Sequence, residues 1–331
     1  MPDDDIVLTS DPRQIGLFME EMEDCDAFES TTQPSSIIKR PKNNRKEGDL
    51  PSPDQELVVA TSGGKDSAAM ALWLRFESGL PNPMHFVFNN TGHEHPFTLG
   101  YLKTLGDVLG QEVEEAPAQY TFLELAIKKK RFPSSMTRFC TEHLKILPMQ
   151  RWIAEQNFID PVICQGVRAE ESARRAKMPV WDNTLGDFGN FYDIWRPVLR
   201  WSVEEVFAIH KRHDLEPNPL YKMGAGRVGC WPCIHVGLGE LRNAFRRDAD
   251  LLDRLRHMEA EVGKASPRGI ATIFRPNFVP ERFHDAVDSV SGKTICTIDA
   301  VHAYLMGTDN LTLFDDDEDV PTCMSQYGLC E

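Results

Sequence analysis

The sequence predicts an α/β fold: a doubly wound parallel sheet, followed by a helical region that carries cysteines. Between residues 56 and 165, short apolar runs rich in β-branched residues alternate with segments that have helical periodicity. This alternation is typical of parallel strands joined by helices that cover both faces of a sheet. Beyond about residue 200 the pattern changes to helices and loops. Because ligands of such sheets bind at the carboxyl ends of the strands, we expect the functional residues in the loops there.

The elements follow in order along the chain. Four strands are predicted from the buried-type runs LVVAT (57–61), MHFVFNN (84–90), QEVEEAP (111–117) and PVIC (161–164). Helices are predicted for AMALWLRFES, FTLGYLKTLGDVLG, TFLELAIKKKR and LKILPMQRWIAEQN, the last interrupted by Pro148. In the second part, WSVEEVFAIHKRH predicts one helix and ELRNAFRRDADLLDRLRHMEAEVG predicts a single long amphipathic helix.

Composition divides the chain into four segments. We expect a disordered acidic N-terminal segment and linker (1–55), the α/β domain (56–200), a helical region with a CxxC site (201–308) and a mobile acidic tail with two cysteines (309–331). The net charge of −15 lies at the two ends, because residues 57–308 hold 30 acidic and 30 basic residues. The central part can therefore still present a basic face to an anionic ligand.

Several classes of protein are excluded by composition. With 41% hydrophobic and 26% charged residues, the chain fits neither a wholly disordered nor a fibrous protein. No apolar run approaches the roughly 18 residues that a membrane span needs, and the acidic N-terminus has no secretory pattern. We expect a cytoplasmic protein without a membrane partner, whose eight cysteines are thiols available for metal binding or sulfur chemistry.

The loop after the first predicted strand has the composition of a phosphate site. It consists of Ser62, Gly63, Gly64, Lys65, Asp66 and Ser67. Glycines let backbone N–H groups approach phosphate oxygens, the start of the following helix favours an anion, and Lys65 neutralises charge. The alternative is a plain Gly-Gly turn in which Asp66 or Ser67 caps the helix.

This loop resembles the SGGxDS signature of the PP-loop ATP pyrophosphatases, also called adenine nucleotide α-hydrolases. The segment GVRAEESARRAK (166–177) is similar to the GxRxxES motif of the phosphoadenosine phosphosulfate (PAPS) reductase branch of that superfamily. WSVEEVF, NPLY and GCWPC, further along, resemble the same branch. The resemblance implies binding of ATP or PAPS with Mg²⁺, and nucleotide contacts from the loop and from Gly166, Arg168, Glu171 and Ser172. It also implies catalytic roles for Lys65, Asp66 and Arg168.

Three cysteines are candidates for a metal group. Cys230 and Cys233 form the CxxC of GCWPC, a spacing that suits two thiolate ligands. Cys140 in RFCTEHLKI resembles a family cysteine placed across the site, where iron–sulfur reductases have a Cys-Cys doublet. Three ligands on a [4Fe–4S] cluster would leave one iron open to hold a sulfide. Zn²⁺ bound with His143 or His235 as fourth ligand, and buried thiols without metal, remain alternatives.

Other residues have a structural and a functional interpretation. His93 and His95 could bind a metal, but lining the nucleotide pocket or capping the next helix is the expected role. Lys128, Lys129, Lys130 and Arg131, together with Arg174 and Arg175, are candidates for phosphate contacts unless they form a solvated surface. Cys164 is expected to pack in the core.

The resemblance leaves three functions open. RFCTEHLKI resembles DNA phosphorothioation sulfurtransferases, which implies ATP-dependent sulfur transfer to an acceptor such as a nucleic acid, with a sulfur-donor protein as partner. The second is reduction of PAPS or adenosine phosphosulfate to sulfite, in which Cys330 on the tail would be the catalytic thiolate. The third is a non-catalytic nucleotide-binding interaction protein. The complete SGGKDS loop favours sulfur transfer.

Overall fold

The computed structural model of the protein describes residues 45–158, 160–185 and 191–307. All of these belong to one compact unit, Lys42–Glu331. The predictions for the acidic N-terminal segment up to residue 44 and for the tail, including Cys323 and Cys330, lie outside the described residues. Among the described residues, no helix is long and apolar enough to cross a membrane.

A six-stranded sheet forms the centre of the α/β part. Its strands, in chain order, are β1 (Leu57–Thr61), β2 (Met84–Phe88), β3 (Glu114–Glu115), β4 (Val162–Gln165), β5 (Trp181–Leu185) and β6 (Phe191–Trp195). They lie in the order β3-β2-β1-β4-β6-β5. β3, β2, β1, β4 and β6 run parallel, and β1 at the centre is buried along its whole length. The predicted doubly wound α/β sheet is confirmed.

Helices cover both faces of this sheet. One face packs against α1 (Lys65–Phe76), α2 (Pro96–Leu109) and α6 (Val203–Arg212), and the other against α5 (Leu147–Glu155). Residues of β1 point alternately to these two cores, Leu57 and Val59 to the first and Val58 and Ala60 to the second. The apolar run of β1 is therefore explained by burial on both sides.

The edge of the sheet departs from the predicted all-parallel arrangement. β5 pairs antiparallel with β6, in a register that places Trp181 opposite Trp195. The rings of these two tryptophans stack with centroids 5.5 Å apart, and the Trp181 indole N–H donates to the Asp49 carbonyl at 2.9 Å. Neither strand was predicted, because WDNTL and FYDIW mix polar and apolar residues as an edge hairpin does. The sheet is thus mixed, with an antiparallel strand at one edge.

The helical segment around Pro148 is continuous. α4 (Phe139–Thr141) passes through a π-helical turn (Glu142–Ile146) directly into α5. Pro148 does not interrupt this helix, because it lies in the first turn of α5, where a proline is tolerated. The wider π turn lies immediately after Cys140.

The helical part has its own apolar core. It is built from α8 (Leu238–Arg247), α9 (Leu251–Ala265) and α10 (Ile298–Gly307), and α3 (Phe122–Lys128) of the α/β part packs into it. The short helix α7 (Pro219–Lys222) and a two-stranded hairpin of β7 (Ala286–Val287) and β8 (Thr294–Ile295) complete it.

The predicted single long helix over residues 240–263 is two helices. It breaks at Asp248, whose backbone is extended (φ −113°, ψ 96°) at the end of α8. The Asp248 carboxylate accepts from the Trp231 indole N–H at 3.1 Å and from Arg254 at 3.3 Å. The side chain thus favours the break by anchoring the turn to the cysteine-bearing segment.

Candidate active site

The loop between β1 and α1 has the geometry of an anion cradle. The chain turns at Gly63, whose φ of +78° favours glycine, and a Cβ there would come within 2.7 Å of the Thr98 side chain. Gly64 is the N-cap of α1 and supplies no side-chain cap. The N-terminus of α1 therefore faces the mouth of the loop without a capping side chain, as an anion site requires.

The two serines of the loop hold its shape. Their Oγ atoms lie 3.0 Å apart, and the Ser67 hydroxyl donates to the Gly64 carbonyl at 3.2 Å while accepting from the Ser62 amide. Ser62 Oγ also accepts from the Gly64 amide at 3.3 Å. Both residues are buried. Their hydroxyls, and the Ser62 and Gly64 amides that donate to them, are thus engaged inside the loop and fix its shape.

Asp66 joins the loop to the segment after β4. Its fully buried carboxylate accepts from Lys65 Nζ at 2.8 Å and forms a short ion pair with the Arg168 guanidinium. Arg168 in turn contacts Glu170 at 2.7 Å. The structure therefore brings Lys65, Asp66 and Arg168, the three described residues with predicted catalytic roles, into one charged cluster. The plain-turn alternative does not account for two cations converging on one buried carboxylate.

The GxRxxES segment packs directly on the loop. A Cβ on Gly166 would overlap Ser67 Cα and approach the Ser67 amide nitrogen to 2.8 Å, so only glycine fits there. Glu171 accepts from the Arg168 amide at 2.7 Å and pairs with Arg175, which is buried. Ser172 accepts from the Arg175 amide at 3.2 Å. Of the two arginines expected to contact phosphate, Arg174 alone is exposed.

The three candidate cysteines line one cavity. Cys140, Cys230 and Cys233 line the same cavity, which also borders Thr91 in the loop after β2. The Thr91 hydroxyl lies 3.8 Å from Cys230 Sγ. Because β1 and β2 are neighbouring parallel strands, the loops after them, which carry the anion cradle and Thr91, lie at the same edge of the sheet.

The HEH segment supports the CxxC loop. The His93 carbonyl accepts from the Trp231 amide at 2.7 Å, the His93 ring stacks on Phe122, and Glu94 forms a β-bridge with Cys230. His93 Nε2 lies 3.1 Å from the Pro232 carbonyl, and burial lowers the pKa of this imidazole to about 4. The His95 ring accepts from the Phe97 amide, so the predicted helix cap is confirmed.

Comparison with known proteins agrees with this arrangement. A family model described as the phosphoadenosine phosphosulfate reductase domain matches residues 56–236, more than half of the chain. The chain belongs to this family. An uncharacterised 37.8 kDa protein of Escherichia phage 186 is 32% identical over 335 residues, covering 83% of this chain and 96% of that protein.

Two further similar proteins are sulfonucleotide reductases. An adenosine 5'-phosphosulfate reductase of Allochromatium vinosum is 33% identical over 104 residues, which cover 30% of this chain and 37% of that protein. The solved structure of phosphoadenylyl-sulfate reductase from Candida auris superposes with a TM-score of 0.41 and 17% identity, over 54% of this chain and 82% of that chain. The match to the family model, and not these two likenesses, shows that the chain is an enzyme of the PAPS reductase family.

Three residues that hold the loop of this family member were not predicted as site residues. The Lys65 amide donates to the Tyr221 hydroxyl at 3.0 Å, and Asn218 Nδ2 donates to the Gly63 carbonyl at 3.1 Å. His210 Nε2 lies 2.8 Å from the Lys65 carbonyl. NPLY contributes only a resemblance at the level of the sequence. The contacts join residues about 150 positions apart, so no local pattern could assign this role.

The cysteine cavity combines soft ligands with positive charge. Arg138, Lys145 and Arg227 line it together with the three thiols, and Glu240 is the acidic residue in its lining. His235 also lines it, whereas His143 does not. Burial and the charges of Arg138, Arg227 and Arg275 lower the pKa of His235 to about 4, so this imidazole is neutral at pH 7.

The described side chains around the cavity are not arranged to hold a single metal ion. Tetrahedral zinc, with Zn–S bonds of about 2.3 Å, requires its ligands to lie about 3.8 Å apart. The described residues contain no group of three or more His, Cys, Asp or Glu side chains arranged to hold one ion. A polynuclear cluster puts each thiolate on a different iron, so its ligands need not converge.

The cysteine cavity has a volume of about 40 Å³, and a cavity needs only about 10 to 15 Å³ on this measure to hold one water molecule. The cavity is therefore large enough for a small ligand group between the lining side chains.

The two remaining described cysteines are structural. Cys164 is fully buried in β4, and burial raises the pKa of its thiol far above the ordinary range, as the prediction of core packing requires. Cys296 is buried in the helical core, where burial raises the pKa of its thiol to about 11. Both are therefore thiols rather than thiolates at neutral pH.

Proposed function

We propose that this enzyme cleaves ATP to AMP and pyrophosphate and uses the energy to transfer sulfur to an acceptor. The observation that carries the proposal is the position of a complete anion cradle, with Lys65 at its mouth, at the same sheet edge as a cavity lined by three thiols. Binding of a triphosphate accounts for the cradle and its cation, and sulfur handling accounts for the thiols.

The first half-reaction activates the acceptor. An acceptor oxygen attacks the α-phosphorus of ATP, the bond from that phosphorus to the bridging oxygen breaks, and pyrophosphate leaves with the electron pair. Lys65 and the N-terminus of α1 would stabilise the negative charge that builds on the leaving phosphates. Asp66 and Arg168 hold Lys65 and the loop in place. Mg²⁺ held largely by the phosphates needs few protein ligands, which suits the sparse carboxylates at this mouth.

The second half-reaction exchanges oxygen for sulfur. A hydrosulfide supplied by a sulfur-donor protein attacks the activated atom and forms the new bond to sulfur, and AMP departs with the former acceptor oxygen and the electron pair of the broken bond. Cys140, Cys230 and Cys233 would bind a [4Fe–4S] cluster beside this step. When bound, that group supplies a site for redox or sulfur chemistry. Arg138, Lys145 and Arg227 would attract an anionic acceptor or sulfur donor.

A nucleic acid is the acceptor class that the surface charge favours. Burial is the largest cause that lowers the pKa of His143, and the charges of Lys128, Lys129 and Arg151 lower it further, whereas Glu142 raises it, so three cations and one carboxylate lie near this side chain. Such a cluster beside the cavity suits a phosphate backbone, and the binding should weaken steeply with salt.

Sulfonucleotide reduction is the second candidate, and the similarity to adenosine 5'-phosphosulfate reductases favours it. The two functions differ in their products. Incubation of the anaerobically purified chain with ATP, with adenosine phosphosulfate or with PAPS, in the presence of a thiol donor, separates them. AMP and pyrophosphate from ATP support sulfur transfer, sulfite from a sulfonucleotide supports reduction, and binding without either product supports a non-catalytic role.

A further inference from the structure

His235 is a buried side chain of the cysteine cavity to which the proposed function gives no role. It is 5% exposed and lies on the cavity wall with Cys140, Cys230 and Cys233. Its Nε2 atom exposes less than 1 Å² and has no hydrogen-bond partner. Buried polar atoms in native proteins are nearly always paired, and leaving one unpaired destabilises the fold.

No described group near His235 forms a hydrogen bond with Nε2. The charged groups nearest to it are Arg138, Arg227 and Arg275. None of these guanidinium groups lies within hydrogen-bond distance of Nε2. A carboxylate or carbonyl partner for a protonated Nε2 is equally absent from the described residues. His235 lies between the cysteine cavity and the adjoining cavity lined by Phe132 and Phe274, and a ligand in the cysteine cavity would give Nε2 a partner.

The local chain brings His235 and the CxxC cysteines to the same wall. The Val236 amide donates to the Cys233 carbonyl at 2.9 Å, so residues 233–236 form a tight turn. His235 lies within this turn, two residues after Cys233, and Cys230 precedes it in the same loop. Three sulfur donors and one imidazole nitrogen therefore line one cavity.

We propose that His235 is the fourth protein ligand of the metal group bound by Cys140, Cys230 and Cys233, through Nε2. This inference rests on the proposed function insofar as that function places a metal group in the cavity. A fourth protein ligand would remove the open iron that three cysteine ligands alone would leave on the cluster. With His235 bound, all four positions of a [4Fe–4S] cluster have protein ligands, so the transferred sulfur comes from a separate donor molecule rather than from a sulfide on the cluster.

His143 provides the matched control. It lies three residues after Cys140 in the π-helical turn, is half-buried among cations, and does not line the cavity. His235→Ala and His143→Ala therefore make the same chemical change near the same cysteines, but only the first removes a cavity nitrogen. His235→Cys restores a donor atom, and thermal melting of each variant before reconstitution reports whether it folds.

The experiment is anaerobic reconstitution with Fe²⁺ and sulfide, followed by iron analysis and pulsed EPR of the reduced protein. We expect about four irons per chain in the wild type, together with a ¹⁴N coupling from a histidine ligand. His143→Ala should keep both. His235→Ala should lose the ¹⁴N coupling and at least half of the iron, and His235→Cys should regain iron without the coupling.

The outcomes separate the two proposals. Iron with no ¹⁴N coupling in the wild type, or an unchanged coupling in His235→Ala, overturns the assignment of His235 and leaves the cluster in place. A wild-type chain that binds neither iron nor zinc overturns the metal group and the ligand together. Stoichiometric zinc that is lost in His235→Ala but kept in His143→Ala supports His235 as a ligand and replaces the cluster by an ion.

Discussion

Substitution of Gly166 by alanine tests the packing on which the nucleotide loop depends. The added methyl carbon would overlap Ser67 Cα and lie 2.8 Å from the Ser67 amide nitrogen and 3.0 Å from the Asp66 carbonyl oxygen. All three are backbone atoms of the first turn of α1, so no side-chain rotation relieves the clash. Because ordinary contacts begin at 3.4 Å, the helix start or β4 must move by about 1 Å to relieve the overlap with Ser67 Cα.

The cost of this movement can be bounded. Overpacking of this kind destabilises a protein by about 1 to 3 kcal/mol. For a chain of this size, each kcal/mol lowers the melting temperature by about 2 to 4 °C, so we expect a decrease of about 2 to 12 °C. The displaced loop should also bind ATP at least about 10-fold more weakly, since 1.4 kcal/mol of lost contact corresponds to that factor.

Gly226→Ala is the control for this prediction. A Cβ at Gly226 would meet no atom within 4 Å, and this residue is outside the left-handed region. Its free energy of unfolding should therefore stay within about 0.5 kcal/mol of the wild-type value. Differential scanning fluorimetry and calorimetric titration with ATP measure the two effects. Gly166→Ala contradicts the packing argument if it has the same melting temperature and the same affinity for ATP as Gly226→Ala.

Three further predictions address other parts of the molecule. Asn218→Asp keeps the oxygen that caps α7 but replaces the amide group that donates to the Gly63 carbonyl by an oxygen that repels it. The affinity for ATP should therefore fall about 10-fold in calorimetry. An unchanged Kd would contradict the role of Asn218 in holding the loop. Burial raises the pKa of Glu259 from 4.5 to about 7, so the free energy of unfolding should fall by about 3 kcal/mol as pH rises through that interval. Denaturant titrations at pH 5 and pH 8 should show this loss of stability in the wild type and not in Glu259→Gln. An equal loss in both proteins would show that another group causes the pH dependence. Truncation after Asp309 removes Cys323 and Cys330, and it should preserve ATP binding but abolish turnover if a tail cysteine is the nucleophile; full turnover would leave the chemistry to the cysteine cavity.

The centre of the fold could be predicted because its residues carry the signal locally. β1, β2 and β4 are apolar runs buried on both faces, and the loop after β1 is a contiguous motif. β5 lies at the edge of the sheet and β6 lies between β4 and β5, and both strands mix polar with apolar residues, so periodicity does not reveal them. The break at Asp248 depends on a contact with Trp231, which no helical pattern contains.

The site divides in the same way. Lys65, Asp66 and Arg168 were predicted because each belongs to a motif, and the structure adds that Asp66 holds the other two. Asn218 and Tyr221 reach the loop across the fold. Their roles, and the choice of His235 over His143 at the cysteine cavity, required knowledge of which distant segments meet.

The most direct test of the account is the affinity for ATP of the wild-type chain and of Lys65→Ala. Lys65 Nζ is bound to the Asp66 carboxylate beside the loop, and Asp66 keeps its ion pair with Arg168 when Lys65 is lost, so the loop should keep its shape. A charge-assisted contact to phosphate is worth about 2 kcal/mol, which predicts a roughly 30-fold weaker Kd for Lys65→Ala in calorimetry, with an unchanged melting temperature. Equal affinity of the two proteins for ATP, or no binding of ATP by the wild type, would contradict the claim that this loop binds the nucleotide.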